Sequence, residues 1–333
     1  MQVEGQLGAR DSGQRALSKK YIKANGKTDS QKSHSVRAPF AYYGAKQRLA
    51  RRIVAELPPH NAWVEAFCGS SALTLAKPSA PIEVINDLNG QIVNLFKQLR
   101  DNAVELCEAV ALTPYASEEF EKSRRQEGDV SPLEDARRFL VATMMTVNGT
   151  VDASGNRSGF SFSQSYARGN REARVNRWYN LPDRLEKVVE RLRNVRIEQR
   201  DARELLRMFS DRPATLFYLD PPYFTKREHG YVIDANDEAF HEELLEICLK
   251  SRCMILLSGY DNKLYQKALV KNGKWFKKKI ETHTRDTTGK DYARTEVLWM
   301  NSHFNRAVKT GRVPIRLSKS ERRENKINPP RKT

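Results

Sequence analysis

Residues 216–224 read Leu-Phe-Tyr-Leu-Asp-Pro-Pro-Tyr-Phe. Leu216 to Leu219 form an apolar, β-favouring run. The prolines behind it cannot donate to a sheet ladder, so the strand must stop at Asp220. A residue before proline is driven towards extended geometry, which makes Asp220-Pro221-Pro222 a stiff turn with Tyr223 beside it. A carboxylate, a carbonyl without a competing N–H and an aromatic face then lie together. Acceptors of that kind hold an amine while the ring stacks, a combination suited to a planar, amine-bearing ring such as a nucleobase. The plainer alternative is an ordinary strand-to-loop turn.

Two further stretches can bind a ligand. Phe67-Cys68-Gly69-Ser70 follows the apolar run Ala62 to Phe67, where an α/β fold places its first cofactor loop. A glycine there lets backbone approach a ligand closely, although a tight turn needs one too. Asp87 ends the next run, Ile82 to Ile85. An acid about twenty residues after a glycine turn is placed for ribose hydroxyls, or else caps a helix.

The elements that position these residues alternate as strand, turn, helix and strand, the pattern of a parallel α/β sheet. A basic amphipathic helix is expected over Gln47 to Leu57, stopped by Pro58-Pro59. Helices are expected over Ala72 to Lys77, Gly90 to Leu99, Leu181 to Leu192 and Glu238 to Lys250. Strands are expected at Val195 to Glu198, Met254 to Ser258, Phe276 to Thr282 and Thr295 to Asn301. Residues 101–150 read as helical. From Asn148 to Asn176 the chain is rich in Gly, Ser, Asn and Arg, as a hairpin or long loop would be. Between residues 157 and 177, Arg157, Arg168, Arg171, Arg174 and Arg177 face a single acid, Glu172. They suit phosphate contacts, with one or two reading guanine edges, unless the loop is simply solvated. Lys271, Lys274, Lys277, Lys278 and Lys279 around Trp275 form a second basic cluster, which reads more economically as a solvated edge strand.

The net charge of +17 on 333 residues points to a polyanionic partner. Residues 1–38 carry eight Lys/Arg against three acids and residues 303–333 ten against two, which leaves +4 between them. Both ends read as disordered basic tails that would raise non-specific nucleic-acid affinity. The four cysteines show no CxxC pair and no histidine cluster, so no metal site is expected and the thiols read as reduced. Neither an apolar leader nor a run long enough for a membrane helix is visible, which fits a cytoplasmic protein without a membrane partner.

Together these residues resemble the Dam-like, α-class DNA adenine-N6 methyltransferases over roughly residues 38–302. Asp220-Pro221-Pro222-Tyr223 matches the family's catalytic DPPY motif and Phe67-Cys68-Gly69 its FxG loop. Asp87 matches its ribose-binding acid. Tyr42 and Lys46 match an aromatic and a lysine that hold the methionine end of S-adenosylmethionine. Asp201 matches, more loosely, an acid near the adenine pocket. The chain departs from the pattern at Ser71, where the family often has glycine, and at Ala45 within Gly44-Ala45-Lys46.

The resemblance implies a Rossmann-like methyltransferase sheet built from 38–100 and 181–302, with residues 101–180 as an inserted target-recognition region and tails at 1–37 and 303–333. It implies S-adenosylmethionine as methyl donor, no metal, and methyl transfer to the amine of an adenine flipped out of double-stranded DNA. A monomer is implied, with a cognate restriction endonuclease as a possible partner in function. Rival readings keep the chemistry on cytosine N4, RNA adenine or a protein amide, or make the chain an idle nucleic-acid-binding module. No cysteine follows a proline, which counts against a cytosine-C5 mechanism.

Overall fold

A computed structural model describes residues 35–42, 46–125, 128–147, 159–163, 167–168, 170–222, 238–285 and 291–314. Seven strands form one sheet in the order β5-β2-β1-β6-β7-β9-β8. They are β1 (Ala62–Glu65), β2 (Ile82–Asn86), β5 (Val195–Glu198), β6 (Thr215–Leu219), β7 (Met254–Gly259), β8 (Phe276–Arg285) and β9 (Asp291–Met300). The pairs from β5 to β7 are parallel, and β9 runs antiparallel to both its neighbours.

Every residue of β1, β6 and β7 is buried. Such strands read as continuous apolar runs because helices cover both faces. The alternation is still present in space. Leu216, Tyr218, Met254 and Leu256 join one apolar cluster, whereas Phe217, Leu219, Ile255 and Leu257 join another.

The helices are α1 (Ala50–Val54), α2 (Ala72–Ala76), α3 (Gly90–Asp101), α4 (Ala103–Leu112), α5 (Ser117–Arg125), α6 (Pro132–Met144), α7 (Ala173–Tyr179), α8 (Leu181–Leu192), α9 (Ala202–Phe209), α10 (Glu238–Lys250), α11 (Lys263–Tyr265) and α12 (Ser302–Thr310). A third cluster joins Phe96 of α3, Leu106 of α4, Phe120 of α5, Leu140 of α6 and Leu185 of α8 to Ile85 and Val195 of the sheet. These helices are thereby packed onto the sheet.

Two expectations need correction. The stretch from Gln47 to Leu57 is not one helix: Lys46–Arg48 form a 3₁₀ turn, and α1 spans five residues. The basic segment from residue 303 does not begin as a tail. The Asn301 side chain accepts from Phe304 N to cap α12, Phe304 and Ala307 are buried, and Gly311 closes the helix at φ +61°. Its two core residues lie among basic ones that mask the period. Within the insertion, β3 (Ala167–Arg168) pairs with β4 (Arg171–Glu172) as a small antiparallel hairpin. Asn170 takes φ +59° at its turn, a conformation asparagine tolerates.

Candidate active site at the carboxyl edge of the sheet

The chain lays down β1, β2 and β5 outwards in one direction, then returns to add β6 and β7 on the other side of β1. Loops leaving the carboxyl ends of β1 and β6 therefore diverge, and ligands of open α/β sheets bind in the crevice between them. An open cavity of about 880 Å³ lies there, lined by residues that include Tyr42, Lys46, Phe67, Asp87, Asp220 and Phe240.

On the β1 side, the loop is shaped by hydrogen bonds to its neighbour strand. Cys68 N donates to Asn86 O at 2.8 Å, and the Asn86 side chain ties Ala66 O to Arg200 O. Gly69 sits at φ +46°, and a Cβ there would stand 3.1 Å from Tyr42 Cδ1. Its N–H donates to Asp87 Oδ2 at 2.8 Å, and Asn89 N donates to Oδ1 at 2.9 Å. Burial raises the Asp87 carboxyl against these donors. It also raises the Tyr42 hydroxyl, with the Asp87 charge adding to it.

Ser71 explains the missing glycine. It occupies the left-handed region at φ +54°, yet its Oγ donates to Glu65 Oε2 at 3.3 Å. Thr74 supplies a backbone N–H at 3.0 Å and its hydroxyl to the same oxygen. Burial pushes the Glu65 carboxyl up to about 7, opposed by those donors. Glu65 lines the cavity and was not singled out above. Its signal was an acid ending an otherwise apolar strand.

On the β6 side, Lys46 Nζ lies 2.8 Å from both oxygens of Asp220 and 3.6 Å from Glu296 Oε1. Burial opposes the Lys46 charge, but Asp220 and Glu296 outweigh it and the ammonium is held above its usual range. Ser258 Oγ, at the end of β7, donates to Asp220 Oδ1 at 2.8 Å. Since that hydroxyl has one proton, Tyr218 OH is the donor in its 2.8 Å contact with Ser258 Oγ. Glu296 and Ser258 escaped sequence reading because their contacts join distant segments. Pro222 lines the cavity, and Tyr223 lies outside the described residues.

Residues 42–286 match the family model of the D12 class N6 adenine-specific DNA methyltransferases. The chain belongs to that family. The enzyme is an adenine-N6 DNA methyltransferase, and the span matched holds Tyr42, Lys46, the Gly69 loop, Asp87 and the Asp220 motif. It is 27% identical over 220 residues to Type II methyltransferase M1.LlaDCHI of Lactococcus lactis subsp. cremoris, covering 62% of this chain and 72% of that one. A solved structure, precorrin 8w decarboxylase from Methanobacterium thermoautotrophicum, aligns with 77% of this chain and 89% of its own. Identity is 11% and the TM-score 0.32, too slight a likeness to bear on the fold.

In this methyltransferase Asp201 lies beside the cavity while its neighbours Arg200 and Ala202 line it. Its carboxylate caps α9 through Arg203 N at 2.8 Å and accepts from Arg203 Nε at 3.0 Å, so it is already engaged. Of the arginines named above, the described Arg171, Arg174 and Arg177 do not line the cavity. Arg157 lies outside the described residues, and of Arg168 only the backbone is described. Arg171 Cζ lies 3.8 Å from the centre of the exposed Tyr179 ring, and Arg174 is half-buried. Arg177 is partly engaged: its Nη2 donates to Met144 O at 2.8 Å, which leaves other guanidinium N–H groups for a further partner. On the sheet's outer edge Lys277 pairs with Asp261 and Lys278 with Glu56, as a charged edge strand should. Among the described residues no helix is long and apolar enough to cross a membrane.

Proposed function

We propose that the cavity binds S-adenosylmethionine and that Asp220 holds the amine of an adenine turned out of duplex DNA. One observation carries this reading: a carboxylate fixed by Lys46 and Ser258 shares one cavity with the Phe67–Gly69 loop and Asp87. The lining suits a cationic sulfonium joined to a ribose. Asp87 and Asp220 put carboxylates into that lining, and Tyr42, Phe67 and Phe240 add aromatic faces. The left-handed Gly69, with Tyr42 where a Cβ would point, makes a cradle that a larger residue would fill. Tyr42, Lys46, Phe67, Gly69 and Asp87 would hold the cofactor, with Asp201 beside its adenine. When bound, S-adenosylmethionine supplies an electrophilic methyl group.

The rest of the work falls to this chain. Beside Lys46, the Asp220 carboxylate is an acceptor only, and Lys46 and Ser258 leave it further lone-pair capacity. Asp220 and the Pro221 carbonyl would accept the two N–H bonds of the adenine amine, which frees its lone pair from the ring and aims it. Pro222 stiffens the turn, and Tyr223 would stack on the extruded base. The hairpin and its arginines would grip the duplex. The Type II name of the Lactococcus relative supports pairing with a restriction endonuclease, and we read the enzyme as acting as a monomer.

Titration with S-adenosylhomocysteine tests this division. Asp87→Ala should weaken binding about tenfold or more, the loss of charged hydrogen bonds. Asp220→Asn should bind nearly as wild type and fail in methyl transfer. A wild-type protein that binds neither cofactor nor product would overturn the reading.

A further inference from the structure

Four arginines outside the cavity stand together with no acid paired to them. Arg174 and Arg177 lie on α7, Arg184 on α8, and Arg37 just ahead of the buried Ala38. Val36 packs on the apolar cluster that also takes in Met144, Trp178, Leu181 and Leu185, and the Arg37 charge acts on both Arg177 and Arg184. The platform is fixed: Arg177 Nη2 donates to Met144 O and Trp178 Nε1 to Thr113 O, each at 2.8 Å. Arg174, Arg177 and Arg184 are half-buried, and Arg37 is exposed. None of the four has an ion pair among the described residues. Glu172, at the start of α7, is turned to Ser163 N at 2.8 Å.

The free protein bears a cost for this arrangement. Burial, then Arg37 and Arg177, pull the Arg184 guanidinium down to about 10. Burial, then Arg174 and, less strongly, Arg37, lower Arg177 as well. Like charges are thus held together without a counter-ion among the described residues, an arrangement an external anion relieves. Guanidinium groups pair with phosphate oxygens through several donors at once, better than ammonium groups do.

We infer that Arg37, Arg174, Arg177 and Arg184 form a phosphate-binding site for the sugar–phosphate backbone of the DNA substrate. The inference rests on the DNA-methyltransferase reading and adds Arg37 and Arg184 to the residues that meet the duplex. It also gives the segment before the first helix a part in DNA binding.

The test is the affinity of the full chain for unmethylated duplex DNA across a range of salt, for wild type, Arg37→Gln, Arg184→Gln and Arg184→Lys. Each glutamine variant should lower the slope of log affinity against log salt by about 0.9, one phosphate contact. Binding should weaken alike on unrelated duplexes, while S-adenosylhomocysteine affinity stays unchanged and the melting temperature holds or rises. Arg184→Lys should keep the wild-type slope. Unchanged slopes in both glutamine variants would overturn the inference. So would a fall in melting temperature that accounts for the whole loss at Arg184, if the exposed Arg37→Gln binds DNA as wild type. A wild type that binds S-adenosylhomocysteine but no DNA would instead overturn the functional reading beneath it.

Discussion

Around the cavity, Lys46 meets Asp220, two backbone N–H groups meet Asp87, and Thr74 and Ser71 meet Glu65. Around α7 and the start of α8, by contrast, Arg174 and Arg184 have no acid partner among the described residues, and Arg171 lies over the Tyr179 ring. The first region must hold its groups in place before a ligand arrives, since a reacting atom tolerates little displacement. The second, in the reading proposed above, would meet a polyanion along its length and gain from charges left without an acid partner. Substitutions should therefore fail differently in the two regions. Cavity changes should cost turnover or stability, and changes around α7 and α8 should cost DNA affinity alone.

The largest effect is expected at Asp220. Asp220→Asn keeps the shape but loses the charge facing Lys46, and should lower single-turnover methyl transfer by about a thousandfold, as the loss of a preorganised group does. Lys46→Met comes next. It leaves Asp220 and Glu296 without their buried cation, and breaking such a pair costs about 3 kcal/mol or more. Urea denaturation should show that loss together with a fall in turnover. Loss of turnover without loss of stability would show that the ion pair does not hold the site together.

Glu65 offers a pH test. Its carboxyl titrates at about 7 in the fold against an ordinary 4.5, so the folded state keeps its proton between these values. Its contribution is therefore complete below about pH 4.5 and is lost as pH rises to 7, about 3 kcal/mol in all. Glu65→Gln should gain in stability relative to wild type over that range. A difference that does not change with pH would show that Glu65 does not titrate there.

The two left-handed residues of the loop after β1, Gly69 and Ser71, give the smallest and sharpest contrast. Gly69→Ala adds strain of about 1–2 kcal/mol and presses on Tyr42, so S-adenosylhomocysteine affinity should fall about tenfold. Ser71→Gly relieves similar strain but removes the hydroxyl from Glu65, so its stability should stay within about 1 kcal/mol of wild type. A large loss there would mean that the Ser71–Glu65 bond matters more than the backbone.

The same contrast decides what could be read from the chain. β1, β2, β6 and β7 end where proline, glycine or an acid interrupts an apolar run, and their loops carry the cavity's motifs in short stretches. The ten-residue β8 and β9 were expected shorter, because their far ends pair in register without an apolar pattern. The partners of Asp220 were hidden for another reason. Lys46 lies 174 residues away and Ser258 lies 38, and no local spacing records such contacts. Arg184 and Arg37 were missed because each looks like an ordinary surface arginine until the helices bring it beside the others.

The central claim is tested most directly by incubating the purified enzyme with labelled S-adenosylmethionine and unmethylated duplex DNA, then identifying the modified nucleoside by mass. The account predicts N6-methyladenine from wild type and about a thousandfold slower formation from Asp220→Asn. Label recovered as N4-methylcytosine, label found only in RNA or protein, or N6-methyladenine formed undiminished by Asp220→Asn would contradict it.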